Sequence, residues 1–249
     1  MHKQVTKYEP NWVYDKLISF CETEEEKGYA LAHKKRFSFI VNDVASHIKP
    51  KMRVANIGLS ILDPLFNEII TGLDASYTSL IPNLHYLENL KNPYYNSVKT
   101  EFYNVIDQNV AESKTNINFD LVIFYETLEH ILAPDEVVFS NIYKILRPGG
   151  MLVGSVPNAV SVHKRFAALL GRNIHWSKRS IVDGVFGGYG HIREYTTSEI
   201  RELLTQKFKV KKIYGLNPYG TKRNKFIELI RDVMPTDLKE VILFEAEKV

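Results

Sequence analysis

Short apolar runs alternate with helical patterns along most of the chain. Residues 12–49 are mostly helical in pattern, with apolar residues at helical spacing between 29 and 48, and Pro50 ends this helix. Seven strands are predicted, at residues 54–60, 76–81, 99–105, 119–125, 151–156, 208–214 and 241–246. Further helices are predicted at residues 63–73, 84–90, 135–146 and near 225–234, and a capping box at Thr196 and Glu199 predicts one more.

Strands separated by helices indicate βαβ units and a mostly parallel sheet. The last two strands are predicted to form an antiparallel hairpin at its edge, joined through the helix near residues 225–234. We divide the chain into a helical extension or cap at residues 1–34 and a main domain at residues 35–249.

The composition narrows the class of protein. The 249 residues are 45% apolar and 24% charged, which excludes collagen-like, low-complexity and wholly disordered chains. No apolar run approaches the roughly 18–20 residues of a membrane helix, and the first residues carry no signal-peptide core. Because Cys21 is the single cysteine, an internal disulfide is excluded and a reducing cytoplasm is expected. The net charge of +3 neither requires nor excludes an anionic partner.

The candidate functional residues are those directly after the strands, because open α/β sheets bind ligands beyond the carboxyl ends of their strands. The residues at these positions are 58–60, 82–83, 107, 126–130 and 157–158. They include no phosphate-binding Gly-x-x-x-x-Gly-Lys loop and no Gly-x-Gly-x-x-Gly fingerprint. Nucleoside triphosphate hydrolysis and a standard nicotinamide site are therefore disfavoured.

Three segments occur in a characteristic order. They are residues 119–123 followed by Glu-x-x-Glu-His at 126–130, Leu-Arg-Pro-Gly-Gly at 146–150 followed by the strand that ends in Pro157-Asn158, and Gly-His-Ile-Arg-Glu-Tyr-Thr at 190–196. Over roughly residues 35–215 the chain thus resembles the class I S-adenosylmethionine-dependent methyltransferases, in particular the ubiquinone-type and surface-polysaccharide O-methyltransferases. The resemblance implies a Rossmann-like, doubly wound, mostly parallel seven-stranded sheet with an antiparallel edge hairpin and a helical N-terminal extension.

The resemblance also implies S-adenosylmethionine as the cofactor and places its binding residues at the strand ends. These residues are Asn56, Gly58, Ser60, Asn83, Asp107 and Tyr125, with Asn83 at the ribose and Asp107 at the adenine amino group. The first loop departs from the family pattern, because Gly58 is the only one of its three glycines that remains. The acidic residue that usually ends the second strand is replaced by Asn83.

A metal site is one interpretation of the segment after the fourth strand. Glu126, Glu129 and His130 stand at i, i+3 and i+4, so all three share one face if a helical turn begins at Glu126. By resemblance, His191 is the fourth ligand. Two carboxylates and two imidazoles suit Mn²⁺, Fe²⁺, Co²⁺ or Zn²⁺ better than Mg²⁺. Alternatively, His130 or His191 is a metal-free general base, or the acids stabilise a helix N-terminus.

An insertion at residues 159–195 shapes the acceptor pocket in the resembled family. It carries a basic cluster that suits either a phosphate or carboxylate on the acceptor or a solvated face, namely Arg165, Arg172, His175, Lys178 and Arg179, with Trp176 among them. Three glycines at 187, 188 and 190 fit either a mobile lid or an ordinary surface loop.

Three functions remain open at this point. The first is an O-methyltransferase acting on a hydroxyl of a small molecule, such as a sugar, a surface-glycan precursor or a secondary metabolite. The second is a 2′-O-methyltransferase of RNA 3′ ends, which the weak basicity and the lack of interleaved aromatic and basic residues disfavour. The third is a non-catalytic partner protein with a methyltransferase fold. The sequence does not name the acceptor or fix the oligomeric state.

Overall fold

The computed structural model describes residues 8–58, 60–81, 93–107, 118–182, 190–218, 231 and 233–249. The predicted helix at 84–90, Asn83, the glycines at 187 and 188 and most of the predicted helix near 225–234 lie outside these ranges. Within them the helices are α1 (Pro10–Ile18), α2 (Glu24–His47), α3 (Asp63–Gly72), α4 (Asp135–Ile145), α5 (Val162–Leu169), α6 (Lys178–Val182) and α7 (Thr197–Thr205). Short 3₁₀ helices cover Pro93–Ser97, Leu128–His130 and Thr236–Leu238.

Seven strands of the described residues form one sheet. They are β1 (Arg53–Ile57), β2 (Ser76–Ile81), β3 (Thr100–Phe102), β4 (Phe119–Tyr125), β5 (Leu146–Pro157), β6 (Phe208–Leu216) and β7 (Val241–Lys248), in the order β3-β2-β1-β4-β5-β7-β6. β1 pairs in parallel with β2 and β4, β2 pairs in parallel with β3, and β7 pairs antiparallel with both β5 and β6. The predicted Rossmann-like α/β sheet with an antiparallel edge is confirmed.

The contacts divide the chain into two compact units. The first comprises residues 1–104 and 119–123. In it α1 packs on α2 and α3 packs on β2. The α2 helix begins with a capping box between Thr23 and Glu26, and it runs without a break across the predicted boundary between residues 34 and 35.

The second unit comprises residues 105–118 and 124–249. Its core holds Phe124, Phe139 and Phe244, whose rings meet edge to face at centroid distances of 6.4 Å. Gly154 of β5 lies beneath them. A Cβ at this position would be 2.4 Å from the Phe124 carbonyl oxygen and 2.6 Å from the Phe244 ring, so the core closes only over glycine.

Most predicted elements are present with small changes at their ends. The main difference is in β5, which begins at Leu146, whereas the predicted helix extended to residue 146 and the predicted strand began only at residue 151. The backbone there stays extended up to Gly149, which takes a φ of +73°, and Lys248 Nζ donates to the Leu146 carbonyl oxygen at 2.7 Å. In the part of the chain that the structure describes, no helix has both the length and the apolar character that a membrane crossing requires.

Candidate active site

The turn after β4 starts with a strained residue. Glu126 has a φ of +50°, in the left-handed region, and its N–H donates to the Ser155 carbonyl oxygen at 2.9 Å. The Ser155 hydroxyl in turn donates to Glu126 Oε1 at 2.7 Å. The helical turn begins only at Leu128. The expectation of one helical face shared by Glu126, Glu129 and His130 is therefore wrong, because the left-handed backbone at Glu126 precedes the turn.

The structure brings together three of the four predicted metal ligands. One potential ligand atom each from Glu129, His130 and His191 lies within 4.8 Å of the other two. The Glu129 carboxylate is fully buried, with Oε1 at 3.8 Å from His130 Nε2. The two imidazole rings meet edge to face at a centroid distance of 5.0 Å. We call these three residues the acid–histidine cluster; Glu126 is not part of it.

Backbone hydrogen bonds bring His191 to a turn that lies about sixty residues earlier in the chain. The N–H groups of Ile192 and Arg193 donate to the Glu129 carbonyl oxygen at 2.7 and 3.4 Å. One residue before His191, the Gly190 N–H donates to the Ile181 carbonyl oxygen at 2.7 Å. A Cβ on Gly190 would lie 2.2 Å from the Ser180 carbonyl oxygen, so this close approach requires glycine.

Glu194 is a residue of this site to which the sequence analysis gave no role. Its carboxylate accepts from Lys164 Nζ and from Trp176 Nε1 at 3.3 Å, and Oε1 lies 3.2 Å from His191 Nδ1. Burial alone would raise the pKa of Glu194, but hydrogen bonds from His191 and Lys164 outweigh burial and lower it to about 2. The position of Glu194 three residues after His191 was the available sequence signal.

The contact between Glu194 and His191 determines which ring nitrogen of His191 can face a ligand. Nδ1 is occupied by Glu194, which leaves Nε2 to bind an ion or accept a proton. The Trp176 ring covers the imidazole at a centroid distance of 4.6 Å. One buried carboxylate and two imidazoles form a donor set that suits a borderline divalent ion, and the same histidines suit proton transfer near neutral pH.

The loop after β1 lies in the first unit and has its own polar network. Gly58 has a φ of +91°, and its carbonyl oxygen accepts from Asn56 Nδ2 at 2.8 Å. The Ser60 N–H donates to Asp63 Oδ2 at 2.5 Å, and the Tyr77 hydroxyl donates to Asp63 Oδ1 at 2.6 Å. Among the described residues of this loop, Gly58 alone takes a left-handed φ, and the Asp63 carboxylate fixes the backbone at Ser60.

Asp63 is the second residue that the sequence analysis missed as part of a site. It is fully buried, and burial raises its pKa to about 6 although hydrogen bonds from Tyr77 and the Ser60 N–H act in the opposite direction. Its place directly before Pro64 fits an ordinary helix start, so the sequence alone predicted only the helix.

The remaining predicted cofactor residues lie elsewhere. Asp107 is exposed after β3, where its carbonyl oxygen accepts from Asn141 Nδ2 at 2.8 Å. Tyr125 is partly buried at the end of β4, and its carbonyl oxygen accepts from the Thr127 hydroxyl at 3.0 Å. Asn83 lies outside the described residues.

Similarity to known proteins supports one interpretation of this fold. Three solved structures resemble the chain. Their sequence identities of 12–15% support a shared fold and no more than that. A methyltransferase from Mesorhizobium loti has a TM-score of 0.57 (86% of this chain and 98% of that one, 12% identity). A possible histamine N-methyltransferase from Thermotoga maritima has a TM-score of 0.56 and 15% identity, and the alignment covers 97% of this chain and 100% of that one. A methyltransferase from Archaeoglobus fulgidus has a TM-score of 0.53 and 13% identity, and the alignment covers 84% of this chain and 91% of that one. All three are described as dependent on S-adenosylmethionine.

The family follows from the sequence itself. No curated protein sequence matches the chain. A family model described as a methyltransferase domain matches residues 4–208, which is most of the chain. The chain therefore belongs to the methyltransferase-domain family, and its fold is that of S-adenosylmethionine-dependent methyltransferases.

Proposed function

We propose that this methyltransferase transfers the methyl group to a hydroxyl oxygen of a small-molecule acceptor, with a divalent metal ion held by Glu129, His130 and His191. The observation that supports this proposal is the acid–histidine cluster, in which ligand atoms of all three residues lie within 4.8 Å of one another. A sugar, a surface-glycan precursor or a secondary metabolite fits this chemistry.

The donor set fits a metal of the middle of the first transition row. Imidazoles favour Mn²⁺, Fe²⁺, Co²⁺ or Zn²⁺ over Mg²⁺. Three protein ligands leave further coordination positions open, which is typical of catalytic rather than structural sites. When bound, such an ion acts as a Lewis acid toward a hydroxyl oxygen and lowers its pKa.

The residues of the chain have distinct tasks in this proposal. A carbon–oxygen bond to the acceptor forms while the sulfur–methyl bond of the cofactor breaks, and the hydroxyl proton must leave. With an ion bound, His130 would be one of its ligands and the proton of the acidified hydroxyl would pass to solvent; in the metal-free alternative, His130, partly exposed beside Glu129, would take that proton itself. Glu194 and Trp176 fix the ring of His191. We assign Asn56, Gly58 and Ser60, supported by Asp63, to the cofactor, together with Asn83, Asp107 and Tyr125.

The experiment is methyl transfer to a panel of hydroxylated acceptors, with wild-type protein before and after exhaustive chelation. We expect activity to disappear on chelation and to return with Mn²⁺, Co²⁺ or Zn²⁺. Activity that survives chelation but is lost in His130→Ala contradicts the metal and supports histidine base catalysis. Absence of S-adenosylmethionine binding at millimolar concentration supports the non-catalytic alternative, and transfer to RNA 3′ ends supports the RNA alternative.

The same proposal covers the organisation and location of the protein. Residues 159–195 form the acceptor side, since Trp176 and Lys164 of this insertion contact His191 and Glu194. As part of this proposal, the segment 1–34, which includes α1 and the first part of the continuous helix α2, caps the domain at residues 35–249. We place the reaction in the cytoplasm, because a chain whose single cysteine is unpaired suits a reducing compartment.

A further inference from the structure

Helix α5 is attached to the protein through its polar side. Lys164 Nζ donates to the Glu194 carboxylate and to the Asn158 carbonyl oxygen at 3.1 Å, and its side chain is only 15% exposed. Consecutive residues of an α-helix are rotated by about 100°, so Phe166 lies about 200° from Lys164. The face opposite the attachment is therefore apolar.

That apolar face lies in solvent. Phe166, Leu169 and Leu170 stand at i, i+3 and i+4 and are 63%, 81% and 70% exposed. No residue of α5 is buried. An ordinary surface helix turns its apolar stripe toward the core. The orientation of α5 is the reverse, which calls for a partner that covers this face.

The charge around α5 identifies the chemistry of the partner. Residues 159–182 contain five Lys or Arg and no Asp or Glu; Lys164 is paired to Glu194, and the segment itself offers no carboxylate to the other four positive charges. Arg165, Arg172, Lys178 and Arg179 are exposed. Trp176 and Val182 add exposed apolar surface, at 47% and 69%. The segment combines outward aromatic and aliphatic side chains with an excess of positive charge.

We propose that residues 159–182 dock onto the surface of an anionic phospholipid membrane. Phe166, Leu169 and Leu170 enter the boundary between headgroups and acyl chains, and the basic side chains face the lipid phosphates. A symmetric contact between two copies would place the same positive charges against one another. A nucleic acid would match the charge but would leave the three apolar side chains in water. Lipid satisfies both features, and docking at this segment also brings the acid–histidine cluster near the membrane.

The test is flotation of the full-length protein with vesicles of phosphatidylcholine, with and without phosphatidylglycerol. We expect a bound fraction about tenfold larger on the anionic vesicles, falling as salt is added. In a Trp12→Phe background, the fluorescence of Trp176 is expected to shift to the blue on binding. The assay needs neither cofactor, acceptor nor metal, so its result is independent of the proposed function.

Matched variants locate the contact. The triple change Phe166→Ser, Leu169→Ser and Leu170→Ser alters only exposed side chains and is expected to abolish binding. Its control replaces exposed apolar residues elsewhere, namely Leu31→Ser, Phe102→Ser and Val249→Ser, and is expected to bind like wild type. Changing Arg172, Lys178 and Arg179 to Gln is expected to remove the preference for anionic vesicles. The same change at the exposed Lys49, Lys207 and Lys209 is expected to preserve it.

Three results would overturn the proposal. Equal recovery with neutral and anionic vesicles would remove the role of charge. If the control variants lost vesicle binding as strongly as the test variants, the binding would not be specific to residues 159–182. Concentration-dependent dimerisation in sedimentation that the triple Ser variant abolishes, without vesicle binding by wild type, would assign the apolar face to a second copy instead.

Discussion

Glu194 controls the presentation of His191, and the first prediction concerns this pair. Glu194→Gln keeps the shape of the side chain but removes the negative charge that faces His191 Nδ1 and Lys164 Nζ. Loss of such a supporting carboxylate typically lowers metal affinity by about 10–100-fold. We expect a decrease of this size in a Co²⁺ titration followed by calorimetry, with unchanged affinity for S-adenosylmethionine. Glu136→Gln, an exposed acid at the start of α4, is the control, and an equal effect there would contradict the role of Glu194.

Asp63 gives a pH-dependent prediction. Its folded-state pKa of about 6 lies above its usual value of 3.8, so the folded state holds this proton more tightly than the unfolded state does. The resulting stability is fully present below pH 3.8 and is lost as the pH rises to about 6. The change amounts to roughly 2–3 kcal/mol for a fully buried group.

The variant Asp63→Asn isolates this contribution. Its free energy of unfolding is expected to change less than that of wild type between pH 4 and 6, as measured by urea denaturation. The amide has one acceptor oxygen where the carboxylate has two, so it cannot accept from both the Ser60 N–H and the Tyr77 hydroxyl, and we also expect weaker binding of S-adenosylmethionine. Asp74→Asn on an exposed turn serves as the control. A wild-type pH slope retained in Asp63→Asn would show that this carboxyl is not the titrating group.

At the level of helices and strands, two glycine-to-alanine changes distinguish the effect of core packing on stability from that of backbone entropy. In Gly154→Ala the new methyl group meets the Phe124 carbonyl oxygen and the Phe244 ring, which is expected to destabilise the protein by about 3 kcal/mol or more. In Gly28→Ala, inside α2, nothing lies within 4 Å, and the change is expected to stabilise by about 0.5–1 kcal/mol. Thermal unfolding measures both. Similar shifts in the same direction would argue against the packing described for β5.

The elements with clear local signals were predictable from the sequence. The bounds of β2 and β4 agree with the prediction to the residue, because β2 is followed in sequence by Pro82 and β4 is apolar at every position except Asp120. The capping box at Thr196 and Glu199 begins α7 as predicted. The start of β5 was not predictable, since Arg-Pro-Gly-Gly reads locally as a turn, whereas in the structure the strand already begins at Leu146, whose carbonyl oxygen accepts from the distant Lys248 Nζ.

The candidate site was predictable in its residue types but not in its geometry. His191 was assigned to Glu129 and His130 by resemblance, and the backbone bonds from Ile192 and Arg193 to Glu129 bring it there. The exclusion of Glu126 depends on a left-handed φ in a residue other than glycine, for which the sequence carries no signal. Glu194 and Asp63 were missed because their roles arise from burial and long-range contacts.

At the scale of the whole molecule, the residues of the acid–histidine cluster are distinct from those proposed to bind the cofactor. The loop at Asn56 and Gly58 belongs to the first unit, and the acid–histidine cluster belongs to the second. Glu129→Ala or His191→Ala is therefore expected to lower kcat by about 10²–10⁴-fold while the Kd for S-adenosylmethionine stays nearly constant.

The control for these variants is His175→Ala, which removes an exposed histidine of the same insertion. Steady-state kinetics and calorimetric titration of the cofactor supply the two readouts. A parallel loss of cofactor binding in Glu129→Ala and His191→Ala would contradict their assignment to the acceptor side.

Anomalous diffraction at the manganese edge, from crystals grown with Mn²⁺ and S-adenosylhomocysteine, tests directly whether the acid–histidine cluster holds a metal ion. We expect one strong peak within bonding distance of Glu129, His130 and His191, and no such peak in His191→Ala. A map without a peak at these residues, from crystals of a protein that is active after chelation, would contradict this expectation.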